Sequence, residues 1–117
     1  MQSKIKNDFG TIAIENEVIA RIAGLAAMEC YGVVGMAAKS LRDGLVHLLK
    51  IESLSKGVTI ETQGDEGLVV GLHIIVEYGT NLVAISQSLK ENVRYRVEDC
   101  VGIPVREVNI YIDGLRA

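Results

Sequence analysis

Tryptophan is absent from this sequence, and phenylalanine and proline occur once each. With so few large aromatics, a core has to be built from Val, Ile, Leu and Ala, and the 49% hydrophobic content supplies the material. A strong charge bias is also missing. The 12 basic and 15 acidic residues leave a net charge of −3, with no block of either sign. That argues against a broad nucleic-acid surface, which needs clustered Lys and Arg to neutralise phosphates. Long apolar runs are missing too. Ile22–Met28 and Cys30–Ala38 are cut off by Arg21, Glu29 and Lys39, far short of the roughly 18 apolar residues of a spanning helix. The opening Met1–Asp8 has no apolar core of the signal-peptide kind. The two cysteines, Cys30 and Cys100, are expected to be free, buried thiols in a reducing cytoplasm.

Catalytic patterns are equally scarce. His47 and His73 stand alone, outside any His-Glu-x-x-His or Cys-x-x-Cys spacing, so no metal or cofactor is expected. There is no Gly-x-Ser-x-Gly elbow and no phosphate loop with Lys-Ser or Lys-Thr. Gly32-Val33-Val34-Gly35 has the Gly-x-x-Gly spacing of a backbone clamp but no basic residue, and it reads as a turn and a strand start. A non-enzymatic protein is the expectation.

What is present is periodicity. Phe9–Ile14 reads as a strand. Glu15-Asn16-Glu17 opens a thin, alanine-rich helix, with Asn16 as cap and Val18, Ile19, Ile22, Ala23, Leu25 and Ala26 on its apolar face. Val33–Met36 is a second strand. Lys39–Ser55 places Leu41, Leu45, Leu48 and Leu49 at helical spacing and reads as a short amphipathic helix. Gly57–Gln63 and Leu68–Tyr78 alternate about the turn Gly64-Asp65-Glu66-Gly67, a hairpin. The return strand has one unbroken apolar face (Leu68, Val70, Leu72, Ile74, Val76, Tyr78) and one mixed face (Val69, Gly71, His73, Ile75, Glu77).

Gly79-Thr80-Asn81 then caps a long helix with Leu82, Ile85, Leu89, Val93, Val97 and Cys100 on its stripe. Glu91–Arg94 and Arg94–Glu98 are spaced for ion pairs, and Gly102 and Pro104 end the helix. Val105–Asp113 is the last strand, with Val108, Ile110 and Ile112 inward. The expected fold is α+β: a two-layer sandwich of a mixed, mainly antiparallel sheet with both main helices on one face, in the order β-α-β-(short α)-β-β-α-β. Residues 9–115 are expected to form one domain and residues 1–8 a flexible N-terminus. The surplus apolar groups Leu41, Leu45, Leu48, Leu49, Val69 and Ile75, with His73, form the expected interaction surface.

Gly10 to Ala27, Tyr31-Gly32-Val33-Val34-Gly35-Met36, the Gly57-Val58 strand, Val76-Glu77-Tyr78-Gly79-Thr80-Asn81, Val93 to Gly102 and Val105-Arg106-Glu107-Val108-Asn109-Ile110 together resemble the alkaline shock protein, or Gls-type, envelope stress response family, and within it the short YloU-like members. The resemblance covers residues 9–115 and carries over no catalytic residue. It implies a small cytoplasmic bacterial protein of the Gram-positive type that acts by protein–protein contact, forms a homo-oligomer, and is held peripherally at the inner face of the membrane by a membrane-anchored protein partner. It implies neither nucleic-acid binding nor a membrane span of its own. The alternative it leaves open is a small-molecule or lipid-binding regulator of a neighbouring fatty-acid kinase-like enzyme, with a pocket between the Leu41–Leu49 segment and the sheet.

Overall fold

Leu68–Glu77, apolar at every second position, is the strand around which the main sheet is ordered. The computed structural model describes residues 2–7, 9–39, 46–48, 51–62 and 67–116. In chain order the elements are β1 (Gln2–Asn7), β2 (Gly10–Glu15), α1 (Asn16–Met28), β3 (Val33–Lys39), β4 (Val46–Leu48), a 3-10 helix (Ile51–Gly57), β5 (Val58–Thr62), β6 (Leu68–Glu77), α2 (Leu82–Val101) and β7 (Val105–Arg116). The architecture is α+β, with helices on a mixed sheet.

Three strands share β6. Along one edge, β5 pairs antiparallel with its first half (Val58↔Leu72 to Thr62↔Leu68) and β3 with its second half (Met36↔Ile74, Val33↔Val76). The other edge is taken by β7 alone, parallel and over the full length of β6. A parallel neighbour needs a crossover connection, and α2 is that crossover. β4 adds to β3 through Ala37↔Leu48 and Lys39↔Val46.

Both helices pack on one face of this sheet. Ile19, Ala20, Ala23, Ala26 and Ala27 of α1 and Ile85, Leu89, Val93, Val97 and Val101 of α2 join Leu68, Val70, Leu72, Ile74 and Val76 of β6 in one apolar cluster. The alanines keep α1 thin, and Gly24 lets the 3-10 helix approach so closely that a Cβ there would lie 3.2 Å from Cβ of Leu54. The stripe on α2 advances in steps of four, which carries it to Val101. Leu82 is therefore 40% exposed and Cys100 lies outside the core, against the expectation for both. Cys30 is half-buried. Asn81 caps α2 as expected, accepting the Ala84 N–H at 3.1 Å, and Gly102 ends it in the left-handed region at φ +78°. The expected ion pairs along α2 are replaced: Arg94 reaches the Arg106 carbonyl, and Glu98 accepts the Val105 N–H at 2.9 Å, tying the helix to the start of β7.

Several expectations are corrected. Residues 2–7, assigned to a flexible N-terminus, are strand β1, paired antiparallel with β2 from Gln2↔Glu15 to Asn7↔Gly10. This pair is a separate two-stranded sheet, not part of the main one. Helix α1 begins at Asn16, so that residue is not its cap. The Asn16 side chain instead holds the hairpin, its Oδ1 accepting from the Ser3 hydroxyl at 2.9 Å. Ser3 is buried and also shares a hydrogen bond of 2.9 Å with Thr62. The amphipathic helix over residues 39–55 is contradicted: Val46–Leu48 is strand β4 and Ile51–Gly57 a 3-10 helix. Leucines at helical spacing are no guide when a free strand edge, here that of β3, can pair the backbone instead.

Candidate functional site

Alternation along β6 sends Leu68, Val70, Leu72, Ile74 and Val76 into the core and Val69, Gly71, His73, Ile75 and Glu77 to the opposite face. The three expected site residues of this strand therefore do share a face. Val69 is 9% exposed yet stands outside the core cluster, while His73 and Ile75 are half-buried. The other four candidates are not brought to them in the described structure. Leu48 lies in β4 opposite Ala37, and Leu41, Leu45 and Leu49 fall outside the described residues.

The registers of β5 and β7 complete the face in rows. The first row is Glu61, Val69 and Glu107; the second is Thr59, Gly71 and Asn109; the third is His73 and Tyr111. Neighbouring strands are about 4.8 Å apart, so the Glu61 and Glu107 backbones stand about 10 Å apart across Val69. In the second row the missing Cβ of Gly71 matters. Thr59 Oγ1 occupies the space a Cβ would need, and the Tyr111 ring would lie 3.6 Å from it.

The third row is a small built cluster. The rings of His73 and Tyr111 stack with centroids 4.7 Å apart and planes 14° from parallel. Beyond Ile74↔Ile112 the register slips by one, so that Ile75 faces Gly114 and Asp113 is the extra residue of a bulge. Bulges re-aim side chains, and here Oδ2 of Asp113 meets Nδ1 of His73 at 2.9 Å. The arrangement orients an imidazole and fixes a flat aromatic surface. Among the described residues no group of three or more His, Cys, Asp or Glu could hold a metal ion.

Glu61, Glu107, Tyr111 and Asp113 escaped the sequence reading. The alternation of Val108, Ile110 and Ile112 already implies that Glu107, Asn109, Tyr111 and Asp113 point the other way. Which of them neighbours His73 depends on a parallel pairing that no local signal carries.

Two clefts lie elsewhere. One, of about 320 Å³, is lined by Asn16, Glu17, Ala20, Ser55, Lys56, Val58 and Ile60. The other, of about 480 Å³, lies between the end of α1 and α2, where Asn92 donates to the Ala26 carbonyl at 2.9 Å and Arg96 pairs with Glu29 at 2.7 Å. No helix of the described residues is long and apolar enough to cross a membrane.

Residues 4–117 match the alkaline shock protein 23 family, described as having a cell envelope-related function. Protein YloU of Bacillus subtilis is 40% identical over 117 residues, covering 99% of this chain and 97% of that one. YqhY of the same organism is 30% identical over 107 residues, 92% of this chain and 78% of that one. A protein of Streptococcus pyogenes named "Stress response regulator gls24 homolog" is 31% identical over 110 residues, 92% of this chain and 59% of that one. No solved structure matches.

Proposed function

From the premise that the chain belongs to the alkaline shock protein 23 family, of cell envelope-related function, we propose that it is a non-enzymatic envelope stress response and assembly protein acting by protein–protein contact near the cytoplasmic membrane. The observation that carries this reading is the sheet face of β5, β6 and β7 that no described element covers. Val69, Ile75, His73 and Tyr111 lie there on a rigid scaffold, on the side away from both helices. A sheet face with apolar and aromatic groups in register is a surface prepared for a partner. The exposed Tyr78, Val83 and Leu115, near the ends of β6 and β7 and the start of α2, provide apolar area for self-association. The name of the streptococcal relative supports the stress-response part of the reading. Cytoplasmic location, with attachment through a membrane-anchored protein, belongs to the same proposal.

A photo-crosslinking residue placed at Tyr111 in the native host, with light scattering on the purified protein, tests it. Crosslinks to a second protein, or particles larger than one chain, are expected. A strict monomer at all concentrations with no crosslinked protein overturns it.

The pocket expected between the Leu41–Leu49 segment and the sheet falls largely outside the described residues; a second reading, a regulator that binds a small molecule or lipid, rests instead on the cleft between α1, the 3-10 helix and β5. Its lining mixes Asn16, Glu17, Ser55 and Lys56 with Ala20, Val58 and Ile60, an apolar wall with a few polar groups to orient a ligand. Filling that cleft by Ala20→Leu abolishes ligand-dependent thermal shifts if this reading holds and leaves the crosslinks from Tyr111 unchanged.

A further inference from the structure

Strand β7 runs the full length of β6, yet among the described residues no strand pairs with its outer edge. It has 12 residues, against three in β4 and five in β5, the strands that end the sheet on its other side. Helix α2 occupies only the start of this edge, where Glu98 accepts the Val105 N–H and Arg94 donates to the Arg106 carbonyl. Further along, alternate residues turn their peptide groups to opposite sides of the strand. The Leu68 N–H on the Pro104 carbonyl and the Tyr78 N–H on the Arg116 carbonyl fix that alternation at both ends. Glu107, Asn109 and Tyr111 therefore bond toward β6, and Val108, Ile110 and Ile112 turn their N–H and C=O outward. Neither Lys nor Pro lies within the strand to blunt the edge.

We propose, building on the self-association part of the reading above, that β7 pairs antiparallel with β7 of a second copy about a twofold axis at Tyr111. Ile110 of each copy then exchanges both backbone hydrogen bonds with Ile112 of the other, and Tyr111 faces the same residue across the axis. Asp113, the extra residue of the bulge, stands with Gly114 opposite Asn109, the two-against-one arrangement of a bulge. Past it Val108 meets Leu115 and Glu107 meets Arg116. Each row joins side chains of one face, so the two copies form a continuous sheet with their helices on the same side. Half-buried Ile110 and Ile112 and the 55% exposed Leu115 gain cover. Charge selects the register. A centre one residue earlier, on Ile110, would set Glu107 against Asp113, like charges opposed. Arg116 already stands beside Glu77 in its own chain, and Glu107 follows Arg106 at the first bulge. The backbone bonds and apolar rows, not the ion pairs, carry the association.

The test uses the full chain with Cys30→Ser and Cys100→Ser and one new cysteine at a time. At a non-hydrogen-bonded antiparallel pair the Cα atoms are about 4.5 Å apart, within disulfide reach. Tyr111→Cys is therefore expected to give a disulfide-linked two-chain species under mild oxidation with diamide. Glu107→Cys lies about 27 Å from its copy, at about 3.4 Å per residue on either side of the axis, and is expected to give about tenfold less or none. Ile110→Pro removes an outward N–H, a change that edge strands tolerate, and is expected to give a monomer by light scattering with an unchanged circular dichroism spectrum. The cysteine pair decides the matter whether or not that variant folds. Equal bridging at residues 107 and 111, bridging at neither, or a folded Ile110→Pro that stays associated would each overturn the edge pairing. Particles larger than one chain without a bridge at residue 111, or a strict monomer that still crosslinks to a different protein from Tyr111, would overturn the edge pairing and leave the assembly reading standing. A strict monomer with no crosslinked protein overturns both.

Discussion

Asp113, which strand alternation already sends to the open face, is the extra residue at the register slip between Ile112 and Gly114, and its carboxylate lies 2.9 Å from the His73 imidazole. Removing that carboxylate by Asp113→Ala should free the imidazole and loosen its stack on Tyr111. The pair is partly solvated, with His73 35% and Asp113 10% exposed by side chain, so the stability cost should be no more than about 1 kcal/mol. The sharper readout is the Tyr111 ring resonance, which should move as the His73 ring current leaves it. An unchanged Tyr111 spectrum would show that the stack does not depend on Asp113.

Glycines 67 and 79 both have positive φ, +106° and +89°, but only one is also crowded. A Cβ on Gly67 would lie 2.5 Å from the Pro104 carbonyl oxygen, whereas one on Gly79 meets nothing within 4 Å. Gly79→Ala should therefore cost only the left-handed backbone strain, about 1–2 kcal/mol. Gly67→Ala adds a clash with backbone that cannot rotate away, for about 3 kcal/mol or more. Urea midpoints of the two variants should separate accordingly, and equal midpoints would refute the argument.

The four-residue step of the α2 stripe makes a similar contrast. Leu89 is fully buried and Leu82 is 40% exposed. Leu89→Ala should cost about 2–5 kcal/mol through lost burial and a residual cavity. Leu82→Ala should cost less than about 1 kcal/mol. Calorimetry on both variants checks the ordering, and a larger loss at Leu82 would contradict the packing.

The Ser3 hydroxyl ties the N-terminal hairpin to α1 and β5, beside Ile14 packed against the core. Ser3→Ala removes the donor to half-buried Asn16 and the partner of exposed Thr62, at a local cost of about 0.5–1.5 kcal/mol. A two-stranded sheet has little stability of its own. Amide exchange should therefore accelerate in β1 and β2 well before it does in β6. Uniform acceleration across the chain would show that the hairpin is not a separate unit.

The strong periodicities translated directly into elements. The alternation of Leu68–Glu77, the four-step stripe from Ile85 to Val97, the Asn81 cap and the Gly102 stop are local signals, and each element formed where its pattern stood. Weak periodicity failed. The leucine spacing after Lys39 suggested a helix, but Val46–Leu48 joined the edge of β3. Gln2–Asn7 carried too little hydrophobicity to read as a strand and became one by pairing with β2. That Val69, His73 and Ile75 share one face was legible because it follows from strand alternation alone.

The sequence by itself determined which side chains each strand sends inward and outward, because that depends only on a two-residue period along one chain. It also determined the family, through motifs that run the length of the chain. Tertiary structure alone decided that Glu61 and Glu107 flank Val69, that Tyr111 stacks on His73 and that Asp113 bulges toward it. Glu61 comes through the antiparallel β5–β6 hairpin, but Glu107, Tyr111 and Asp113 come from a strand far along the chain, and their register is set by the parallel pairing that the α2 crossover allows.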